Sequence, residues 1–251
     1  MKTATVAAGA LFAASAMAAP NTAARWARHA ERRARAERNG FMQLAETPGP
    51  QEETTYSSNW AGAVLSSGAG TYTQVQGTIT VPTPTGSAGS ASAWVGIDGD
   101  TCGSAILQTG VDFSIDDSGN VSYDAWYEWY PAASYDFDNF DVSAGDQIQM
   151  TVVASSTSGG TATLENLTSG QSGESSELCE QDAEWIVEDF ESGGGLVTFA
   201  DFDSVTFTGA TAIANGNTVD TTGATVFDIQ QNSQTLTDCS NSGSTVTCNY
   251  V

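Results

Sequence analysis

From Thr54 to Val251 the sequence contains no lysine, no arginine and no histidine. The seven basic side chains and the single histidine all stand earlier, at Lys2, Arg25, Arg28, His29, Arg32, Arg33, Arg35 and Arg38. Of the thirty acids, the five at Glu31, Glu37, Glu46, Glu52 and Glu53 precede residue 54, which leaves twenty-five beyond it and a net charge there of about −25 at neutral pH. No carboxylate in this region has a cationic side chain to pair with, so ion pairs contribute nothing to its stability. Self-repulsion grows as the carboxyls ionise, and protonation relieves it, so the region is suited to acid. A run of charge is usually a solvated face, and salt-adapted chains carry acidic coats. Such a coat would keep some Lys or Arg; their complete removal favours an acid-stable extracellular protein.

The same absences exclude whole classes of chemistry. Without histidine there is no Ser-His-Asp triad and no histidine-ligated metal. Without lysine there is no Schiff base. Phosphate binding needs cations, so nucleic acid is not an expected partner. No Cys-x-x-Cys is present, and neither metal nor cofactor is called for. What remains to move protons in acid is the carboxyl group, with amides, hydroxyls and backbone N–H groups as neutral donors to a developing oxyanion.

The chain reads as three parts. Residues 1–18 have a positive start at Lys2, a short apolar run and the small-residue site Ala16-Met17-Ala18, the pattern of a secretory signal. Residues 19–53 are rich in Ala and Arg, read as an amphipathic helix and end in a linker at Pro48-Gly49-Pro50. Residues 54–251 form the main domain. No stretch there approaches a membrane span, so a secreted, soluble monomer is expected. Short segments such as "TYTQVQGTITV", "DQIQMTVVA", "SVTFTGATA" and "TVTCNYV" are rich in Val, Thr and aromatics and separated by Gly, Ser, Asn and Asp. That pattern predicts an all-β antiparallel sandwich of two packed, curved sheets in the manner of a jelly roll.

Four cysteines in a secreted chain imply disulfides. Cys239 and Cys248 flank a hairpin-sized loop and are assigned to each other, which leaves Cys102 with Cys179. The sequons at Asn120 and Asn166 are compatible with glycosylation on exposed turns.

Three segments carry candidate chemistry. In "YDAWYEWYP" a strand would put Asp124, Trp126, Glu128 and Tyr130 on one side, an aromatic face with acids that suits a cleft better than a dry core. "WVGIDGDTCGSAILQTGVDF" places Asp98 near a glycine turn and Gln108 in phase with Ile106; such a Gln is more often a satisfied structural amide than a catalyst. In "AEWIVEDFE" the alternation gives Glu184, Ile186, Glu188 and Phe190 one face and Trp185, Val187 and Asp189 the other. Acids between large apolar groups have raised pKa values. Spacing alone does not choose among Glu184, Glu188 and Asp189. Paired carboxylates Glu128 and Glu188 across an aromatic cleft would also suit a jelly-roll glycoside hydrolase, and a non-catalytic lectin-like sandwich is a third reading.

"SSNWAGAVL", "VPTP", "AWVGIDGDTC", "AILQTGVDF", "YDAWYEWYP", "GDQIQMTV", "ATLENLTSGQ" and "AEWIVEDFE" follow one another over most of residues 56–251. In these motifs the chain resembles the eqolisin family of glutamic peptidases. The resemblance implies a β-sandwich acid endopeptidase acting on proteins or peptides. Its catalytic pair would be Gln108 of the Ile-Leu-Gln-Thr-Gly motif and Glu188, the Glu before Asp-Phe. Trp60, Trp94, Asp98, Asp124, Trp126, Glu128 and Tyr130 would line the substrate cleft. The basic leader resembles the family's removed propeptide, so the chain is expected to be a zymogen whose own propeptide inhibits it. Where the family carries a Cys pair after the catalytic strand, this chain has "FESGGGLVTF", a shorter loop beside the cleft.

Overall fold

The computed structural model describes residues 54–251 apart from 133, 157–158, 170, 174–179 and 193–194. The signal segment, the leader with its expected helix, and Cys179 with its expected bond to Cys102 lie outside the described residues.

Nineteen strands are described and no helix. They are β1 (Thr54–Ser57), β2 (Trp60–Ser66), β3 (Tyr72–Thr80), β4 (Gly89–Ile97), β5 (Ile106–Ile115), β6 (Val121–Tyr130), β7 (Tyr135–Asp136), β8 (Gln147–Ser156), β9 (Gly159–Asn166) and β10 (Gln171–Gly173). There follow β11 (Asp182–Glu188), β12 (Glu191–Ser192), β13 (Gly195–Leu196), β14 (Ser204–Ala214), β15 (Asn217–Val219), β16 (Thr225–Gln231), β17 (Gln234–Thr235), β18 (Thr237–Ser242) and β19 (Thr245–Tyr250). One sheet runs β1-β16-β2-β11-β4-β5-β6-β7, with β17 on β16; the other runs β10-β9-β8-β3-β14-β19-β18, with β15 on β14. β12 and β13 pair alone. β1 lies parallel to β16, while the pairings that build the centre of the first sheet are antiparallel.

The sequence patterns of the two sheets differ for a physical reason. β8 and β9 alternate buried with partly exposed positions, because the second sheet packs on one face and meets water on the other. β4, β5 and β11 are buried along nearly their whole length. Their inward face packs on the second sheet through Ala93, Val95, Leu107, Val111, Trp185 and Val187. The Trp185 indole N–H donates to the Gln76 carbonyl of β3 at 2.8 Å, tying the sheets together. Their opposite face is closed by a separate aromatic cluster of Trp60, Val64, Trp94, Ile106, Trp126, Ile186 and Phe227, with Tyr130 half-buried against it.

The expected Cys239–Cys248 bond is present and joins directly opposed residues of β18 and β19. The two sequons part company. Asn120 sits on an exposed turn. Asn166, expected on such a turn as well, is buried: its Nδ2 donates to the Asp141 carbonyl and to Asp146 Oδ2, while its Oδ1 accepts from the N–H groups of Thr168 and Ser169. It closes the turn after β9, and in the folded chain its amide nitrogen is already committed.

Candidate active site

Strand register assembles the outer face of the first sheet in three successive rungs. One reads Trp60, Glu188, Ser92, Asp112, Asp124; the next Gly62, Ile186, Trp94, Gly110, Trp126; the third Val64, Glu184, Gly96, Gln108, Glu128. Directly paired residues share a face of the sheet, so sequence alternation alone brings Trp60, Trp94, Gln108, Asp124, Trp126, Glu128 and Glu188 to one surface. Gln108 and Glu188 lie two strands and four residues apart, with Trp94 between them.

Trp94 can occupy the centre because its neighbours have no side chain. A Cβ at Gly110 would stand 2.5 Å from Trp94 Cβ, and one at Gly96 only 2.7 Å from Trp94 Cζ3. From there the Trp94 indole N–H donates to Glu188 Oε2 at 2.9 Å. Trp60 meets the Trp94 ring edge-on, with centroids 4.9 Å apart, and its own buried indole N–H has no hydrogen-bond partner among the described residues.

At the other end of the diagonal, Gln108 Nε2 donates to Glu128 Oε2 at 2.7 Å. Both side chains are buried. A primary amide has two N–H groups, so one is fixed by Glu128 and the other remains to be aimed. Asp112, which sequence reasoning passed over, orders the middle of the surface. Its Oδ1 accepts from Ser92 Oγ and from the Trp126 indole N–H, both at 2.7 Å. The signal was available: Asp112 is four residues after Gln108 and so in phase with it on β5.

Asp98 lies elsewhere. Its carboxylate accepts from the backbone N–H groups of Glu180, Gln181 and Asp182, at the end of β11 opposite Glu188. The structure therefore does not bring it together with Glu188, although it directly follows Ile97, the β4 partner of Leu107 next to Gln108. Six residues of β11 separate the two ends, roughly 20 Å. Burial, assisted by the charge of Asp182, pushes Asp98 up to about 6 despite those three donors. The strand ends at Glu188, so Asp189 and Phe190 leave the expected alternation. Asp189 is held by Gln231 of β16, whose Nε2 donates to Asp189 Oδ2 at 2.7 Å and to the Ser58 carbonyl at 2.9 Å. Burial raises Asp189 to about 7, with the neighbouring Glu188 charge adding to it.

Glu128 and Glu188 sit three strands and four residues apart, roughly 20 Å between Cα atoms on a flat sheet. Paired glycosidase carboxyls lie roughly 5–9.5 Å apart. With Glu128 bonded to the Gln108 amide as well, the glycoside hydrolase reading is not favoured. Among the described residues no cluster of His, Cys, Asp or Glu has the arrangement of a metal site, nor is any helix long and apolar enough to cross a membrane.

Comparison with known proteins bears on what this surface does. The Peptidase A4 family model matches residues 58–250. The sequence is 51% identical to aspergillopepsin-2 of Aspergillus niger over the whole of both chains, and 47% identical to scytalidopepsin B of Scytalidium lignicola over 80% of each. The fold superposes on scytalido-glutamic peptidase solved with a peptide-based transition-state analogue, with a TM-score of 0.70 and 45% identity over 77% of this chain and 98% of that one. With aspergilloglutamic peptidase from Aspergillus niger the TM-score is 0.62 and the identity 59%, over 64% of this chain and 99% of that one. A family match across the whole described domain, carried by the same strands that build the rungs, settles the class: the chain belongs to the Peptidase A4 family of glutamic peptidases and is a hydrolase of peptide bonds.

Proposed function

We propose that the protein is a secreted endopeptidase that works in acid, with Glu188 as the proton-transfer group and Gln108 as the neutral oxyanion donor. The observation that carries this reading is the shared buried surface on which Trp94 holds Glu188 and Glu128 holds Gln108. On a flat sheet their Cα atoms would be roughly 16 Å apart. Both side chains rise from the same face of the sheet, on either side of Trp94, and a peptide lying across that face would meet both.

In this scheme the Glu188 carboxylate takes a proton from the water as its oxygen attacks the carbonyl carbon. The free N–H of Gln108 meets the oxygen on which negative charge develops. Collapse of the tetrahedral intermediate breaks the C–N bond, and Glu188 returns the proton to the departing amine. The Trp94 N–H, bonded to Glu188 Oε2 at 2.9 Å, fixes the direction of the carboxyl. The Glu128 bond fixes one amide hydrogen of Gln108 and leaves the other its direction. Gln108→Ala is expected to lower kcat by about 10²–10³ with a much smaller change in KM. Steady-state kinetics on a peptide substrate check this; an unchanged kcat removes Gln108 from the mechanism.

The leader fits the same chemistry. Its six arginines are opposite in charge to a domain of about −25 net charge, an attraction that weakens as carboxyls protonate. The leader would therefore inhibit the enzyme at neutral pH and release it in acid. A leader with every Arg changed to Gln that still inhibits equally at neutral pH removes that reading.

A further inference from the structure

Glu184 is a second glutamate on the same strand and face as Glu188, one rung beyond Trp94, and the reaction as proposed does not use it. It is fully buried, and among the described residues neither carboxyl oxygen makes a well-formed hydrogen bond. A cost of that size is kept where the group acts on something. What lies beside Glu184 is visible at Gly96: a Cβ there would lie 3.2 Å from Glu184 Oε2 and 2.7 Å from Trp94 Cζ3, so the carboxyl and the benzo edge of the indole flank the same bare patch of β4. The indole runs along β4 from this patch to Glu188, where its N–H is bonded. One residue thus spans the two glutamates.

We propose that Glu184 is a positioning residue for the peptidase reaction: its carboxyl seats the Trp94 indole and so sets where the indole N–H holds Glu188. The inference rests on the reading of Glu188 given above. Burial keeps Glu184 neutral well beyond the ordinary carboxyl range. The charged groups facing it are Asp182 on β11 and Asp98 and Asp100 on the turn after β4, all acidic; only the Asp100 backbone N–H opposes them. On its flanks β2 presents Val64 and β4 presents Gly96, neither of which can stabilise a charge. Once Glu184 ionises, an unpaired buried charge must move toward water. The indole lying on it moves as well, and Glu188 loses its donor. The sign follows: because the pKa is raised in the folded state, the seat is intact in acid and is lost as pH rises through that raised value.

The test is the pH profile of kcat and KM for wild type and Glu184→Gln, with near-ultraviolet circular dichroism on the same samples. The isosteric amide cannot ionise. Glu184→Gln should keep kcat and KM within about threefold of wild type in acid, while its alkaline limb of kcat moves up by about one pH unit or more. Its aromatic circular dichroism should stay constant where that of wild type changes. Superimposable profiles and spectra overturn the proposal. Should Glu184→Gln fail to fold, the indole N–H resonance of Trp94 in nitrogen-15-labelled wild-type protein gives the same answer. A step in its chemical shift above the ordinary carboxyl range upholds the coupling, and an invariant resonance up to about pH 8 overturns it. If instead Glu188→Gln retains full activity, the reaction scheme fails on its own, while the indole resonance still reports whether Glu184 moves Trp94.

Discussion

Replacing Glu188 with glutamine should lower kcat by about 10⁴ or more at acid pH while leaving the fold intact. The expectation is this large because the group is used twice, first to accept the proton of the attacking water and then to return it to the leaving amine. No histidine, lysine or arginine exists in the domain to substitute for it. The amide keeps the size of the side chain and can still accept from the Trp94 N–H through its oxygen, so packing around the 2.9 Å contact should survive. Residual activity should reflect only binding and the Gln108 donor. Because the two residues act as a unit, combining Glu188→Gln with Gln108→Ala should cost little more than the first change alone. Single-turnover kinetics on a chromogenic peptide, with circular dichroism as the folding control, decide the matter. An active Glu188→Gln enzyme would mean that another carboxyl, Asp189 or Glu184, does the work.

The second large effect is on stability. Glu184 titrates well above its ordinary range, Asp189 at about 7, and Asp98 and Asp228 each at about 6, in every case because burial disfavours the charged form. All four are raised in the folded state, and in the unfolded chain each returns to the ordinary carboxyl range. Their contribution is fully present below about pH 4 and is lost as pH rises through about 6 and 7. No basic side chain in the domain can offset the charges that appear. A tenfold change in one group's proton affinity on folding is worth about 1.4 kcal/mol. Discounted for solvent screening around the less deeply buried carboxyls, the four together should lower the free energy of unfolding by about 3 kcal/mol or more between about pH 4 and pH 7.5. Urea midpoints measured across that range check it. A midpoint that stays constant or rises would show that these carboxyls are solvated rather than buried. Asp189→Asn should soften the loss near neutrality, because Gln231 can still be bonded through the amide oxygen.

Much of this surface was legible in the sequence, because two-residue periodicity is a strict rule and register carries it from strand to strand. Asp124, Trp126 and Glu128 could be put on one side of β6 from alternation alone, and β5 pairing with it in register brings Gln108 opposite Glu128. The strands of the second sheet announced themselves through alternating polar and apolar residues, Gln-Ile-Gln-Met-Thr-Val in β8 and Thr-Ala-Thr-Leu in β9. The central strands carry a different mark: β11 and β4 are buried on both faces, and β11 reads as a buried strand through Trp185, Ile186 and Val187 set among acids.

Sequence alone also failed to choose among Glu184, Glu188 and Asp189. Their environments differ through partners distant in the chain: Trp94 for Glu188, the edge of Trp94 over Gly96 for Glu184, and Gln231 for Asp189. The family resemblance assigns Asp98 to the cleft, and its position near a glycine turn says nothing of its partners; the backbone N–H groups of residues 180–182 that it accepts from are 82–84 residues away in the chain. Asn166 misled in the same way, since a sequon says nothing of the turn its side chain closes.

The most direct test is a crystal structure of the mature protein at acid pH with a peptide analogue of the tetrahedral intermediate. The account predicts one oxygen of the tetrahedral centre about 2.5–3.1 Å from a Glu188 carboxyl oxygen and the other about 2.7–3.1 Å from Gln108 Nε2, with Trp94 still bonded to Glu188. A tetrahedral centre that lies on this face but touches neither side chain would contradict it.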